Sequence, residues 1–215
     1  MGAPVPETAD ADARRRRRMA VLAGHRGDEA GARSLLADAE PSVRCASIGA
    51  LARLGALTAA DLGAALADPH PTVRRRACDA AGSVAGVDLR PLLADDDPSV
   101  VETAAWALGE RGEGAADAVA SLAQVAVEHA DALCREAAVA ALGAIGHRSG
   151  LAAILAATTD RPAVRRRAVN ALAPFEGPEV SEALQRALAD RDWQVRQAAE
   201  DLLDPGPDLA DGPEP

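Results

Sequence analysis

The chain has 215 residues, 48% of them apolar, and a net charge of −10, which suits one ordinary domain or one short array. Aromatics make up only 1% (Trp106, Trp193 and Phe175), so a core must be built from Ala, Leu and Val, favouring close helix contact over bulky sheet packing. The acidic balance disfavours general binding to a phosphate backbone, the odd count of cysteines (Cys45, Cys78, Cys134) does not suit a disulfide framework, and no apolar run reaches transmembrane length.

From the N-terminus, residues 1–13 form a Pro-, Asp- and Glu-containing tail expected to be disordered. Arg14 to Arg18 then begin a leading helix whose basic face is expected in solvent, with contact to an acidic partner as the sharper alternative. The apolar part of "RRRRRMAVLAG" is too short for a signal peptide, because His25, Arg26 and Asp28 follow at once. At Pro41 the stretch "PSVRCASIGALARLG" opens a pattern that returns at Pro71, Pro98, Ala132, Pro162 and Trp193, at intervals of 27 to 34 residues. A period in this range marks a solenoid. Shorter helical runs ending in Leu-Ala-Asp, or close to it, precede the copies, at 36–38, 66–68, 93–95 and 188–190.

One repeat therefore predicts a first helix, a tight Asp/Pro turn, a second helix and a glycine stop. The prolines fall in the first turn of the second helix, where a missing N–H costs nothing. Gly55, Gly86, Gly112, Gly146 and Gly177 follow its last turn, where a left-handed residue is wanted. Residues 205–215 form an acidic tail expected to be disordered, leaving 14–204 as the array.

Numbering each copy from its proline position as zero exposes its columns. Position two holds Val43, Val73, Val100, Cys134, Val164 and Val195, and position six holds Ser47, Ala77, Ala104, Ala138, Ala168 and Ala199. Position ten holds Leu51, Ala81, Leu108, Leu142, Leu172 and Leu203. At 100° per residue these share one side of the helix. A single helix pair cannot bury that side, so the repeats must stack. The fold class is an all-α solenoid.

These residues resemble the HEAT repeat, in the short bacterial form named after phycobilisome lyase subunits. The likeness covers 28–204 and is strongest in copies one, two and five; copy three has Val101 where the others carry arginine, and copy four lacks the proline and the turn aspartate. The resemblance implies a right-handed superhelix of about six antiparallel helix pairs, with the second helices on the concave side. It also implies that Arg44, Arg74, Arg135, Arg165 and Arg196 form a structural ladder with the turn aspartates Asp38, Asp68, Asp95 and Asp190.

Setting those arginines aside leaves the second helices close to neutral, so no general basic groove is expected. What remains is local. Positions four and eight, opposite the core, hold Arg75, Glu102, Glu136 and Arg166, then Asp79, Trp106 and Asn170, and these form the candidate partner-binding face. Trp106 is the one large residue among them and is expected to be exposed, while Trp193 is expected to seal the last repeat.

All 23 basic residues are arginine, which removes every lysine-dependent mechanism, including the P-loop and the Schiff base. No HExxH, no Gly-x-Ser-x-Gly elbow and no His-Glu pair of the di-iron type occurs, and Cys45 has no histidine in its own helix. The expectation is a cytoplasmic, monomeric, non-enzymatic scaffold that needs no cofactor or metal and binds a partner protein along its concave face. A nucleic-acid-binding HEAT-like protein and a bilin-lyase-type enzyme subunit are the alternatives, the former opposed by net charge and the latter suggested only by the repeat's name.

Overall fold

Proline opens the second helix of four repeats, and the columns read from the sequence then decide what each helix buries. The computed structural model describes residues 6–82, 84 and 86–204, with backbone alone for residues 6–9. Its helices are α1 (Pro6–Arg26), α2 (Glu29–Arg33), α3 (Pro41–Arg53), α4 (Ala59–Leu66), α5 (Pro71–Ala81) and α6 (Pro98–Glu110). They continue as α7 (Val119–Glu128), α8 (Ala132–Ile145), α9 (Leu151–Ala157), α10 (Pro162–Ala171), α11 (Pro178–Ala187) and α12 (Trp193–Leu203). No strand occurs among the described residues, and the fold is an all-α helix-pair solenoid.

The chain divides into two compact units, Met1–Ala107 and Leu108–Pro215, where the sequence suggests a single array over 14–204. Within the first, α2 packs on α3 and α4 on α5, while α1, α3 and α5 pack side by side in succession. Within the second, α7, α9 and α11 pack on α8, α10 and α12, and α8, α10 and α12 form the corresponding succession. Copy three has the shortest spacing, and its first helix is reduced to a 3-10 segment, Arg90–Ala94, containing Pro91.

Every residue of the position-two and position-six columns is buried. So are the position-ten residues except Leu203, which belongs to the last repeat and has no following helix pair over it among the described residues. Small residues on facing helices bring the backbones together. A Cβ built on Gly143 of α8 would lie 2.7 Å from Ala171 Cα of α10, and one on Gly24 of α1 would lie 2.8 Å from Ala50 Cα of α3. The five repeat-closing glycines all take positive φ, as at Gly146 (φ 67°), where the αL conformation ends α8.

Three expectations are corrected by the fold. The N-terminal segment is helical from Pro6, with Arg14 paired to Asp10 one turn earlier; residues 1–5 and the tail 205–215 lie outside the described residues. Trp193 begins α12 but is 64% exposed and so does not seal the last repeat by burial. The arginine run of α1 is not wholly solvated, because Arg16 reaches the turn aspartate Asp38.

Candidate functional site

The turns are tied down by guanidiniums. Arg44 Nη1 donates to the carbonyls of Asp38 and Ala39 in its own repeat (2.8 and 3.1 Å), while Nε and Nη2 form a two-point pair with Asp68 of the next (2.7 Å each). Arg74 repeats this arrangement with Asp95 at 2.7 Å, and Arg165 grips Asp190 at 2.8 and 2.7 Å. The gripped carboxylate also accepts the N–H two residues on, as Asp68 does from His70 and Asp190 from Asp192. A planar fork matched to a carboxylate is what arginine supplies and lysine cannot.

The partners differ from those the sequence suggested. Asp38 is held by Arg16 of α1, at 2.6 and 3.1 Å, so the leading helix plays the part of an earlier repeat's second helix. Arg135 grips Asp160 at 2.6 and 2.8 Å; that acid stands two residues before its proline instead of three, which hid it from the column. Arg196 donates to the Asp190 carbonyl at 2.7 Å and has no carboxylate partner among the described residues. In copy four His129 stands in the aspartate's place, and its ring Nδ1 accepts from the Asp131 N–H at 3.1 Å.

These contacts set the carboxylates' ionisation. The forks hold Asp38, Asp95, Asp160 and Asp190 below the ordinary carboxylate range. For Asp68 burial pushes the other way, but the hydrogen bonds from Arg44 and the His70 N–H outweigh it.

The arginines beyond the turns shape the surface of the first unit. A cleft of about 350 Å³ is lined by Cys45 of α3, Thr72, Arg75, Arg76 and Asp79 of α5, and Thr103 of α6. A second depression of about 180 Å³ shares Cys45 and Arg76 with it and adds Val21 of α1, with Ala46, Gly49, Ala50 and Arg53 of α3. Arg76 pairs with Asp79 in its own helix and lies across Gly49, whose missing side chain makes room: a Cβ there would stand 2.7 Å from Arg76 Nη2. Arg75 is exposed and has no hydrogen bond or ion pair among the described residues. The Cys45 thiol donates to the Thr72 carbonyl at 3.5 Å, and burial pushes it above its ordinary pKa.

Of the residues the sequence singled out, Arg75 and Asp79 share this cleft. Glu102 is half-buried and Trp106 is 39% exposed, both on α6 outside the cleft lining. Glu136, Arg166 and Asn170 belong to the second unit. There Glu136 accepts from Arg167 at 3.4 Å, Arg166 donates to Gln194 at 3.2 Å, and Asn170 is exposed. Cys45, at position four of copy one, was expected on this face, whereas the contribution of Thr72 and Thr103 was not foreseen.

No group of three or more His, Cys, Asp or Glu side chains suited to a metal ion occurs among the described residues, and no described helix is long and apolar enough to cross a membrane. A family model for HEAT repeats matches residues 59–143 and 119–204, while no curated protein sequence matches the chain. Among solved structures, YIBA_ECOLI from Escherichia coli is similar over 94% of this chain and 76% of its own, at 16% identity and a TM-score of 0.62. A designed armadillo repeat protein in complex with the peptide (KR)4 is similar over 94% of both chains, at 17% identity and a TM-score of 0.51. Human deoxyhypusine hydroxylase in complex with glycerol aligns over 89% of this chain and 78% of its own, at 24% identity and a TM-score of 0.47. At these identities the first two likenesses establish the fold alone.

Proposed function

The chain belongs to the HEAT repeat family, and from that premise we propose that it is a non-enzymatic scaffold holding a segment of a partner protein on its second-helix face. The observation that carries this is Trp106. Five of the six repeats place a small, polar or charged residue at position eight, yet α6 places an indole there and leaves it 39% exposed. Burying such a ring against a partner supplies the kind of anchor that dominates interface energies. Arg75, Asp79 and Glu102 are proposed as charged contacts around it in the first unit, and Glu136, Arg166 and Asn170 as contacts on the second unit's own face.

A non-enzymatic role is supported by the state of Cys45, since a thiol whose pKa is raised by burial is a poor nucleophile at neutral pH. A cytoplasmic monomer is part of the same proposal, consistent with three cysteines that form no disulfide with one another. The test is capture of partners from lysate by the wild type and by Trp106→Ala. Loss of about 2 kcal/mol of affinity with little change in melting temperature is expected. Equal capture by both, or turnover of a substrate by purified protein that captures nothing, would overturn the proposal.

A further inference from the structure

The equivalent forks of Arg16, Arg44 and Arg74 fix the register between α1, α3 and α5. In that register Arg17, Cys45 and Arg75 are equivalent, and so are Arg18, Ala46 and Arg76. The middle helix therefore contributes small residues where both of its neighbours contribute arginine. The second depression lies over that middle helix, lined by Cys45, Ala46, Gly49, Ala50 and Arg53, and it meets the cleft, which is lined mainly by α5, at Cys45 and Arg76. Arg17, Arg18, Arg53 and Arg75 are exposed and have no hydrogen bond or ion pair among the described residues. The single acid in the lining, Asp79, is already engaged by Arg76.

We propose that this trough of the first unit binds an acidic peptide segment of a partner protein, its carboxylates gripped by Arg17, Arg53 and Arg75. The idea rests on the scaffold reading and adds the partner's chemistry. Charge complementarity argues for it: a chain of net charge −10 concentrates unpaired guanidiniums on one face, where they attract carboxylates and can hold them in two-point hydrogen bonds. Arg76 covers Gly49, while the small Cys45 and Ala46 beside it leave room for a peptide, and Val21, 43% exposed, offers an apolar contact. Thr72 can add a hydroxyl donor, whereas the Thr103 hydroxyl already donates to the Ser99 carbonyl at 2.8 Å. A nucleic acid fits less well, because extended phosphate binding needs many cations in a row, and Asp79 and Glu102 interrupt this face.

The test is selection of a displayed dodecapeptide library on the full chain, followed by fluorescence polarisation with the best peptide carrying a fluorescein label. Selected peptides should carry two or more Asp or Glu, and affinity should fall at least tenfold in Arg17→Glu/Arg75→Glu. It should hold in the charge-matched control Arg161→Glu/Arg191→Glu, whose sites are exposed in the second unit. Circular dichroism should show both variants folded, since none of the four guanidiniums has a hydrogen-bond partner among the described residues. Neutral or basic peptides, or acidic ones indifferent to Arg17 and Arg75, would overturn the acidic-segment proposal while leaving the scaffold reading standing. No selected peptide at all would sink both. Displacement of the peptide by a single-stranded oligonucleotide at lower concentration than by unlabelled peptide would reassign the trough to nucleic acid.

Discussion

The run Val-Arg-Arg-Arg-Ala occurs twice, at 73–77 in α5 and 164–168 in α10, and identical residues meet different fates. The first arginine behaves alike in both: Arg74 and Arg165 each fork onto the next repeat's aspartate. The other two diverge. Arg166 reaches Gln194 and Arg167 reaches back to Glu136, whereas Arg75 has no such partner and Arg76 falls back on Asp79 of its own helix. The cause lies in the neighbouring layers. The repeat before α10 offers Glu136 and Ala140 at positions four and eight, while the repeat before α5 offers Cys45 and Gly49. At the position of Gln194 the repeat after α5 has Ser99, whose hydroxyl already donates to Asp97 at 2.6 Å. A local sequence can thus fix an arginine's direction without fixing its partner.

The largest effect should come from the shared first arginine. Arg165 is only 6% exposed, so Arg165→Ala leaves Asp190 largely buried without its cation and should cost about 3 kcal/mol in urea denaturation. Arg74→Ala should follow in the same direction; a neutral result at either would separate the two runs where they look most alike. The same rungs set a pH dependence. Their aspartates ionise more readily folded than unfolded, so the unfolded chain binds more protons as the solution is acidified. Stability should be flat from pH 8 to about 5, then fall below about pH 4, the ordinary carboxylate range, towards the depressed folded values. Asp190→Asn should make that fall shallower, and an unchanged acid limb would remove the rung from the account.

The register behind the comparison can be broken next. Ala138 is fully buried at position six of α8, and Ala138→Leu should cost about 1–3 kcal/mol by overpacking. Ala140→Leu, two residues on and half-exposed, should be nearly neutral. Equal costs would show that the columns are misassigned. Smaller effects test the divergent arginines directly. Glu136→Ala should cost about 1 kcal/mol, because its pair with Arg167 is partly shielded from solvent. Cys45→Glu transplants the second unit's acid to the equivalent place in the first. It should engage Arg76, change stability by only about 0.5 kcal/mol, and weaken capture of an acidic peptide by filling the trough.

Sequence by itself determined the parts of this protein that depend on neighbours along the chain. Proline at the first turn, glycine after the last and the columns at positions two, six and ten follow from backbone conformation and helical period, and they appear where the spacing put them. Tertiary structure decided the pairings. Arg16 and Asp160 joined the turns although neither stood in the expected column: Arg16 because α1 packs on α3 as an earlier second helix would, and Asp160 because a guanidinium at the end of a flexible stem tolerates an offset of one residue in its partner. Trp193 stayed exposed although a sealing role looked natural, because a position at the start of α12 does not place the ring against its neighbours. The cleft of the first unit was hidden for a related reason. It exists where α3, α5 and α6, contributed by segments about 30 residues apart, bring Cys45, Thr72 and Thr103 beside Arg75 and Arg76, and no single helix carries that arrangement.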